Sequence, residues 1–288
     1  MMPSASVFTQ ALRWLRLSLH MVRGAAIVLL LFPAKSKVQQ GLLRQRWCQQ
    51  LLTCLGVDLQ LLQALPVPPE QPQLGGEGGK GCLWVANHIS WLDVLVLNAC
   101  APMDFVAKAE LRQWPFLGWL AQRSGTLFLP RYSPQQAQAM NIQLSRRLQA
   151  GARILVFPEG SSSLGLGVLP FYPALFQAAI DARCSVQPVA LRYSCATGQR
   201  STAPAYAGEI SWWQSLRSII ASSGLRAQVQ PCPLLTLADG ARQRRRLAQQ
   251  ARAWIVAATQ SDATPSAAAM LHHRVPHAHS PQGLEALA

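Results

Sequence analysis

The stretch CLWVANHISWLDVLVLN, residues 82–98, decides how the chain is read. An apolar run, Cys82–Ala86, stops at Asn87–His88, and a second apolar run with helical spacing begins at Trp91. The pattern predicts a strand, a polar turn and a helix, with His88 and Asp93 at the junction. Residues five apart on one helix point about 140° from each other, so His88 meets Asp93 only from a turn ahead of the helix. Two readings of that turn stand together. Ser90 and Asp93 fit a capping box, with Ser90 as N-cap and Asp93 returning to its backbone N–H, so that the aspartate merely starts a helix. Alternatively, Asp93 holds one ring nitrogen of His88 and leaves the other free as a general base, a Ser-His-Asp arrangement without its serine. A carboxylate has two oxygens, so the readings are compatible.

Outward from this junction, short apolar runs alternate with helical patterns. Strands are expected at 57–65, 82–86, 104–108, 125–129, 153–157 and 185–191, with later ones at 205–210 and 225–237. Helices are expected at 91–100, 134–150, 173–183 and 239–260, and a turn or exposed loop at 66–81. The alternation predicts an α/β fold around a largely buried sheet, in one domain over residues 56–260. Residues 1–55 read as N-terminal anchoring helices and 261–288 as a disordered tail.

Composition narrows the partners. The formal net charge is +14, yet only 13% of residues are charged and half are apolar. Such an excess suits nucleic acid, anionic lipid or a polyanionic substrate, and the position of the charges has to choose. In residues 11–34, Arg13, Arg16, His20 and Arg23 form one helical stripe beside Trp14, Leu15, Leu19 and Val22. The charge-free run 24–34 reaches only about 16 Å as a helix, against roughly 30 Å of bilayer hydrocarbon. An interfacial anchor is therefore expected, with a buried helix or a signal peptide as alternatives. A second helix after Pro33 begins with Lys35, Lys37, Arg44 and Arg46, which suit the anionic cytoplasmic leaflet.

The arginines at 242–252 read as a solvated helix face, and no aromatic-rich motif interleaves with them, so no nucleic-acid partner is expected. The seven cysteines show no CxxC pair or zinc spacing and read as reduced and structural. His272, His273, His277 and His279 in the tail lack Cys or acidic companions, so no metal site is assigned.

Two other strand ends carry polar groups. GTLFLPR, 125–131, delivers Arg131, either a surface cation or a clamp for an anion. FPEGSSS, 157–163, places Glu159, Gly160, Ser161 and Ser162 in a turn that is either merely polar or part of a site. GxSxG and P-loop motifs are missing, which disfavours a serine hydrolase or a P-loop nucleotide fold. A base and an anion clamp remain, without a covalent nucleophile.

NHISWLD resembles the HX4D block of the glycerolipid acyltransferases, and VAKAELRQWPFLGWL, GTLFLPR, VFPEGSSS and VQPVAL are similar to that family's later blocks in order and rough spacing. The resemblance covers about residues 82–192. It implies a central mixed sheet flanked by helices, preceded by a two-helix membrane-associated motif. It also implies an O-acyltransferase needing no cofactor beyond an acyl-CoA or acyl-carrier-protein co-substrate. His88 would deprotonate the free hydroxyl of a lysolipid and Asp93 would orient His88. Arg131 would bind the acceptor phosphate, and Glu159, Gly160, Ser161 and Ser162 would shape the acceptor site. Asn87, Ser90, Lys108 and Pro188 are candidates for shaping the site or meeting the acyl donor.

Lysophosphatidic acid is the acceptor this family resemblance favours, at the cytoplasmic face of the inner membrane. Ser161-Ser162 replace the family's usual threonine-arginine, however, as in a branch that includes lyso-ornithine lipid acyltransferases. A basic lipid-surface binding module is the non-enzymatic alternative.

Overall fold

Along Cys82–Ala86 the side chains alternate between two hydrophobic clusters, Cys82, Trp84 and Ala86 in one and Leu83 and Val85 in the other. All five are buried, so this strand is covered on both faces, which is why it is continuously apolar. The computed structural model describes residues 4–65, 81–113, 117–123, 125–129, 134–237 and 244–260. Its strands are β1 (Val57–Leu61), β2 (Cys82–Ala86), β3 (Asp104–Lys108), β4 (Leu127–Leu129), β5 (Arg153–Val156), β6 (Ser185–Ser194) and β7 (Leu225–Pro231). They form one sheet in the order β1-β7-β6-β2-β5-β3-β4. Neighbours run parallel except β6 and β7, so the sheet is mixed.

The helices are α1 (Val7–Ala26), α2 (Lys37–Leu55), α3 (Leu92–Cys100), α4 (Leu117–Arg123), α5 (Pro134–Gln149), α6 (Gln177–Ala182), α7 (Trp212–Ala221) and α8 (Arg244–Gln260). One face of the sheet packs against α2, α3 and α7 through Leu52, Leu97 and Ile219. The other packs against α5, α6 and α8 through Leu148, Ala178 and Ile255. Each large aliphatic side chain buried this way contributes about 1.5–3 kcal/mol. β2 lies between β5 and β6, so the turn leaving it opens at the carboxyl ends of parallel strands, where open α/β sheets bind ligands.

Several expectations need correction. Residues 205–210 form turns and no strand, because Ala205 N–H donates to Thr202 O (2.9 Å) and Tyr206 N–H to Ile89 O (3.0 Å). Helix α7 was not anticipated, although its start carries a capping box: Ser211 Oγ accepts from Gln214 N and Gln214 Oε1 accepts from Ser211 N. At the N-terminus, α1 continues through one π turn and one 3₁₀ turn to Ala34, giving 28 helical residues. By length and composition that helix could cross a membrane, which the charge-free run alone could not.

Of the basic stripe of α1, Arg13 and His20 turn toward the protein, whereas Arg16 and Arg23 are exposed. Arg13 donates to Ile220 O (2.8 Å) and Ser222 O (2.7 Å), using carbonyls at the C-terminal end of α7 that the helix leaves unpaired. His20 stacks on Trp47, its ring nitrogen 3.0 Å from Trp47 O, and burial pushes it below the ordinary imidazole range. Arg23 donates to Gln50 Oε1 at 2.8 Å. Close approach of the helices depends on Gly24, where a Cβ would lie 2.6 Å from Trp47 Nε1.

What α1 exposes is an apolar face of Phe8, Leu15, Leu19, Val22, Leu29 and Leu30. Helix α2 differs, since its apolar side of Trp47, Cys48, Leu51, Leu52 and Leu55 belongs to the core rather than to a leaflet. Arg44 on α2 donates to Asn98 Oδ1 and Met103 O and lies 3.5 Å from Asp104. Most of the expected 66–81 loop, Arg131, residues 238–243 and the tail 261–288 lie outside the described residues.

Candidate active site

β2 delivers the polar turn by ending against a peg. Asn87 donates through Nδ2 to Leu191 O (2.9 Å) and accepts from Leu191 N at Oδ1 (2.8 Å), so a side-chain amide extends the pairing to β6 by one rung. Asn87 is therefore a structural member of the turn. His88 follows, its Nδ1 2.8 Å from Asp93 Oδ2. The same oxygen accepts the backbone N–H groups of Ile89 (2.6 Å) and Ser90 (2.9 Å).

Asp93 thus caps the helix start and holds the imidazole at once, but the box is incomplete: Trp91 is the N-cap, and Ser90 Oγ accepts from Leu92 N instead of Asp93 N. The other oxygen, Oδ1, accepts from Tyr193 Oη at 2.8 Å. Asp93 is fully buried. An oxygen already taking two N–H groups is an acceptor for the ring too, so Nδ1 is the donor, and in the neutral ring Nε2 is then the acceptor.

The ring's plane has a second constraint, since Phe157 stacks on it at 4.1 Å between centroids and 15° between planes. With one nitrogen on Asp93 and one face on Phe157, the side chain keeps 22% of its surface open. Neither Phe157 nor Tyr193 was anticipated. Phe157 sits at the end of a strand expected next to the site, which is a weak signal; Tyr193, 100 residues beyond Asp93, leaves none.

The FPEGSSS turn supports the histidine from behind. Glu159, 4% exposed, accepts from His88 N at Oε1 (2.8 Å) and from Leu169 N at Oε2 (3.0 Å). Burial pushes its carboxyl up from the usual range, and the two N–H groups draw it back down. Both its oxygens accept backbone N–H groups, which places it inside the turn. Ser163 donates from N (2.9 Å) and Oγ (3.2 Å) to His88 O, and Ser162 Oγ donates to Tyr206 O. Gly160 and Ser161 are exposed. Gly160 has φ +73°, and a Cβ there would lie 2.8 Å from the Tyr172 ring.

Other expected residues fall elsewhere. Pro188 lies inside β6 opposite Val85, buried in the sheet rather than at its edge. Lys108 ends β3, but its side chain is outside the described residues, as is all of Arg131. Burial pushes Cys48 and Cys100 up to about 12, which leaves those thiols unreactive near neutrality.

A histidine held by a buried aspartate at the carboxyl end of a parallel strand is an arrangement that can serve as a general base on an α/β scaffold. Residues 61–192 match the acyltransferase family model. The chain is 44% identical over 147 residues to the 1-acyl-sn-glycerol-3-phosphate acyltransferase of Neisseria meningitidis serogroup B, covering 51% of this chain and 58% of that protein. It is 42% identical over 126 residues to the lyso-ornithine lipid O-acyltransferase of Pseudomonas aeruginosa, covering 43% and 48%. The aligned stretches thus span about half the length of these relatives.

The fold is similar to the crystal structure of the 1-acyl-sn-glycerophosphate acyltransferase PlsC from Thermotoga maritima, with TM-score 0.61, 16% identity, and coverage of 85% of this chain and 92% of that one. The family-model match covers the segment that carries His88, Asp93 and Glu159.

Glu159→Ala would strip the acceptor from two backbone N–H groups, at about 1–3 kcal/mol each where they stay buried. Denaturant unfolding should show a loss of about 2–4 kcal/mol, whereas a loss near zero would remove Glu159 from its place as the turn's support.

Proposed function

We propose that the protein is a membrane-associated O-acyltransferase that moves an acyl chain from a thioester to the free hydroxyl of a lysolipid. The observation that carries this reading is the imidazole fixed on Asp93 with part of its edge open to solvent. The lysolipid hydroxyl gives its proton to His88 Nε2 as its oxygen attacks the thioester carbonyl. Collapse of the tetrahedral intermediate breaks the C–S bond, and the imidazolium returns the proton to the departing thiolate. Asp93 stabilises the imidazolium between those steps. The donor is an acyl-CoA or an acyl-carrier protein.

Lysophosphatidic acid is the first acceptor, giving phosphatidic acid. Lyso-ornithine lipid is the second reading, favoured by a relative of that name at nearly the same identity and by Ser161-Ser162, which bring no cation to the turn. In the proposed mechanism His88→Ala lowers thiol release from acyl-CoA by at least about 10²-fold with lysolipid present. Turnover near wild type would remove His88 as the base. Product mass across a panel of acceptors separates the two headgroups.

The apolar face of α1 is the surface we assign to the cytoplasmic leaflet, with the enzyme monotopic. Its opposite face is spent on α2 and α7 from Arg13 to Gly24, which supports a helix lying on the bilayer rather than crossing it. Paired Leu19→Glu and Leu30→Glu substitutions should abolish flotation with anionic vesicles while His88→Ala leaves it intact. Undiminished flotation of the double variant would place the membrane contact elsewhere.

A further inference from the structure

Three of the four donors to Asp93 converge on Oδ2, and Tyr193 alone serves Oδ1 among the described residues. That division matters. Donors gathered on one oxygen fix its place, but the rotation of the carboxylate is then set by whatever holds the other. Tyr193 reaches Asp93 from near the end of β6, and its own ring is 1% exposed in the core. Two residues earlier on the same strand, Leu191 holds Asn87 by both amide atoms. β6 therefore braces the turn twice, once at the Asn87 side chain before His88 and once at the carboxylate after it.

We propose that Tyr193 is a positioning residue: by holding Oδ1 it locks Asp93 in the rotation that presents Oδ2 to the His88 imidazole. The proposal rests on His88 acting as the general base. Without the hydroxyl, Oδ1 becomes a buried acceptor with no donor, and the carboxylate gains a reason to turn toward another partner. Burial and the neighbouring carboxylate push the Tyr193 hydroxyl well up, so it stays protonated and serves as a donor. The ring itself contributes only packing, which phenylalanine would keep.

Tyr193→Phe in the full chain is the test, read in two ways. Steady-state acyl transfer should show kcat about ten-fold lower, with KM for donor and acceptor within about two-fold, because substrate contacts are untouched. The His88 Nδ1–H resonance in ¹H–¹⁵N NMR should shift or broaden into solvent exchange. An unchanged kcat or an unchanged resonance overturns the assignment.

If the wild-type protein transfers no acyl group, the functional reading fails by itself, and the resonance still decides whether Tyr193 orients the ring. If the variant does not fold, wild-type protein carrying 3-fluorotyrosine substitutes for it: the more acidic hydroxyl should move the same resonance, and a stationary one counts against the proposal.

Discussion

A single buried carboxylate holds the catalytic turn in shape. Asp93 has no solvent to stabilise its charge, and it receives instead two backbone N–H groups, an imidazole N–H and a phenol O–H. Hydrogen bonds to an ionised acceptor are roughly twice as strong as neutral ones, and together they offset the several kcal/mol that burying a charge costs. The same bonds that make this burial tolerable give the turn its conformation and the imidazole its direction. Folding and catalysis thus draw on one set of contacts.

The surrounding scaffold extends that logic. Glu159, also buried, ties the backbone of His88 to Leu169, and the loop between them is gripped from outside by two arginines. Arg252 donates to Val168 O and Leu169 O, and Arg200 joins Gly165 O to Thr259 O at the end of α8. Within these ties the carboxylates face inward and the histidine keeps an edge open. In the proposed mechanism the acceptor brings the nucleophilic hydroxyl, and transfer is direct.

Much of this was legible because local signals and tertiary demands agree. CLWVA and DFVAK are strands over the residues expected, since a continuous apolar run bounded by polar turns has few other places in an α/β chain. Helix geometry allowed the histidine–aspartate pair but left the capping reading beside it, and the family resemblance singled the pair out. What patterning could not supply was the partner of each face. Arg13 and His20 looked like membrane cations, but carbonyls at the end of α7 and within α2 were their partners, and those lie far off in sequence. At 205–210 the apolar spacing suggested a strand, and backbone bonds to the turn after β2 claimed the segment. Tyr193 depended on the register of β6 against β2, which no short stretch reveals.

The central claim is that Asp93 makes His88 a base by fixing its tautomer and its direction. Asp93→Asn tests this most directly, because the amide keeps the shape but can place an N–H where an acceptor is needed. Thiol release from acyl-CoA with lysolipid, measured on the folded variant, should fall about 10²- to 10⁴-fold in kcat. Turnover within a few-fold of the wild-type protein would contradict the account.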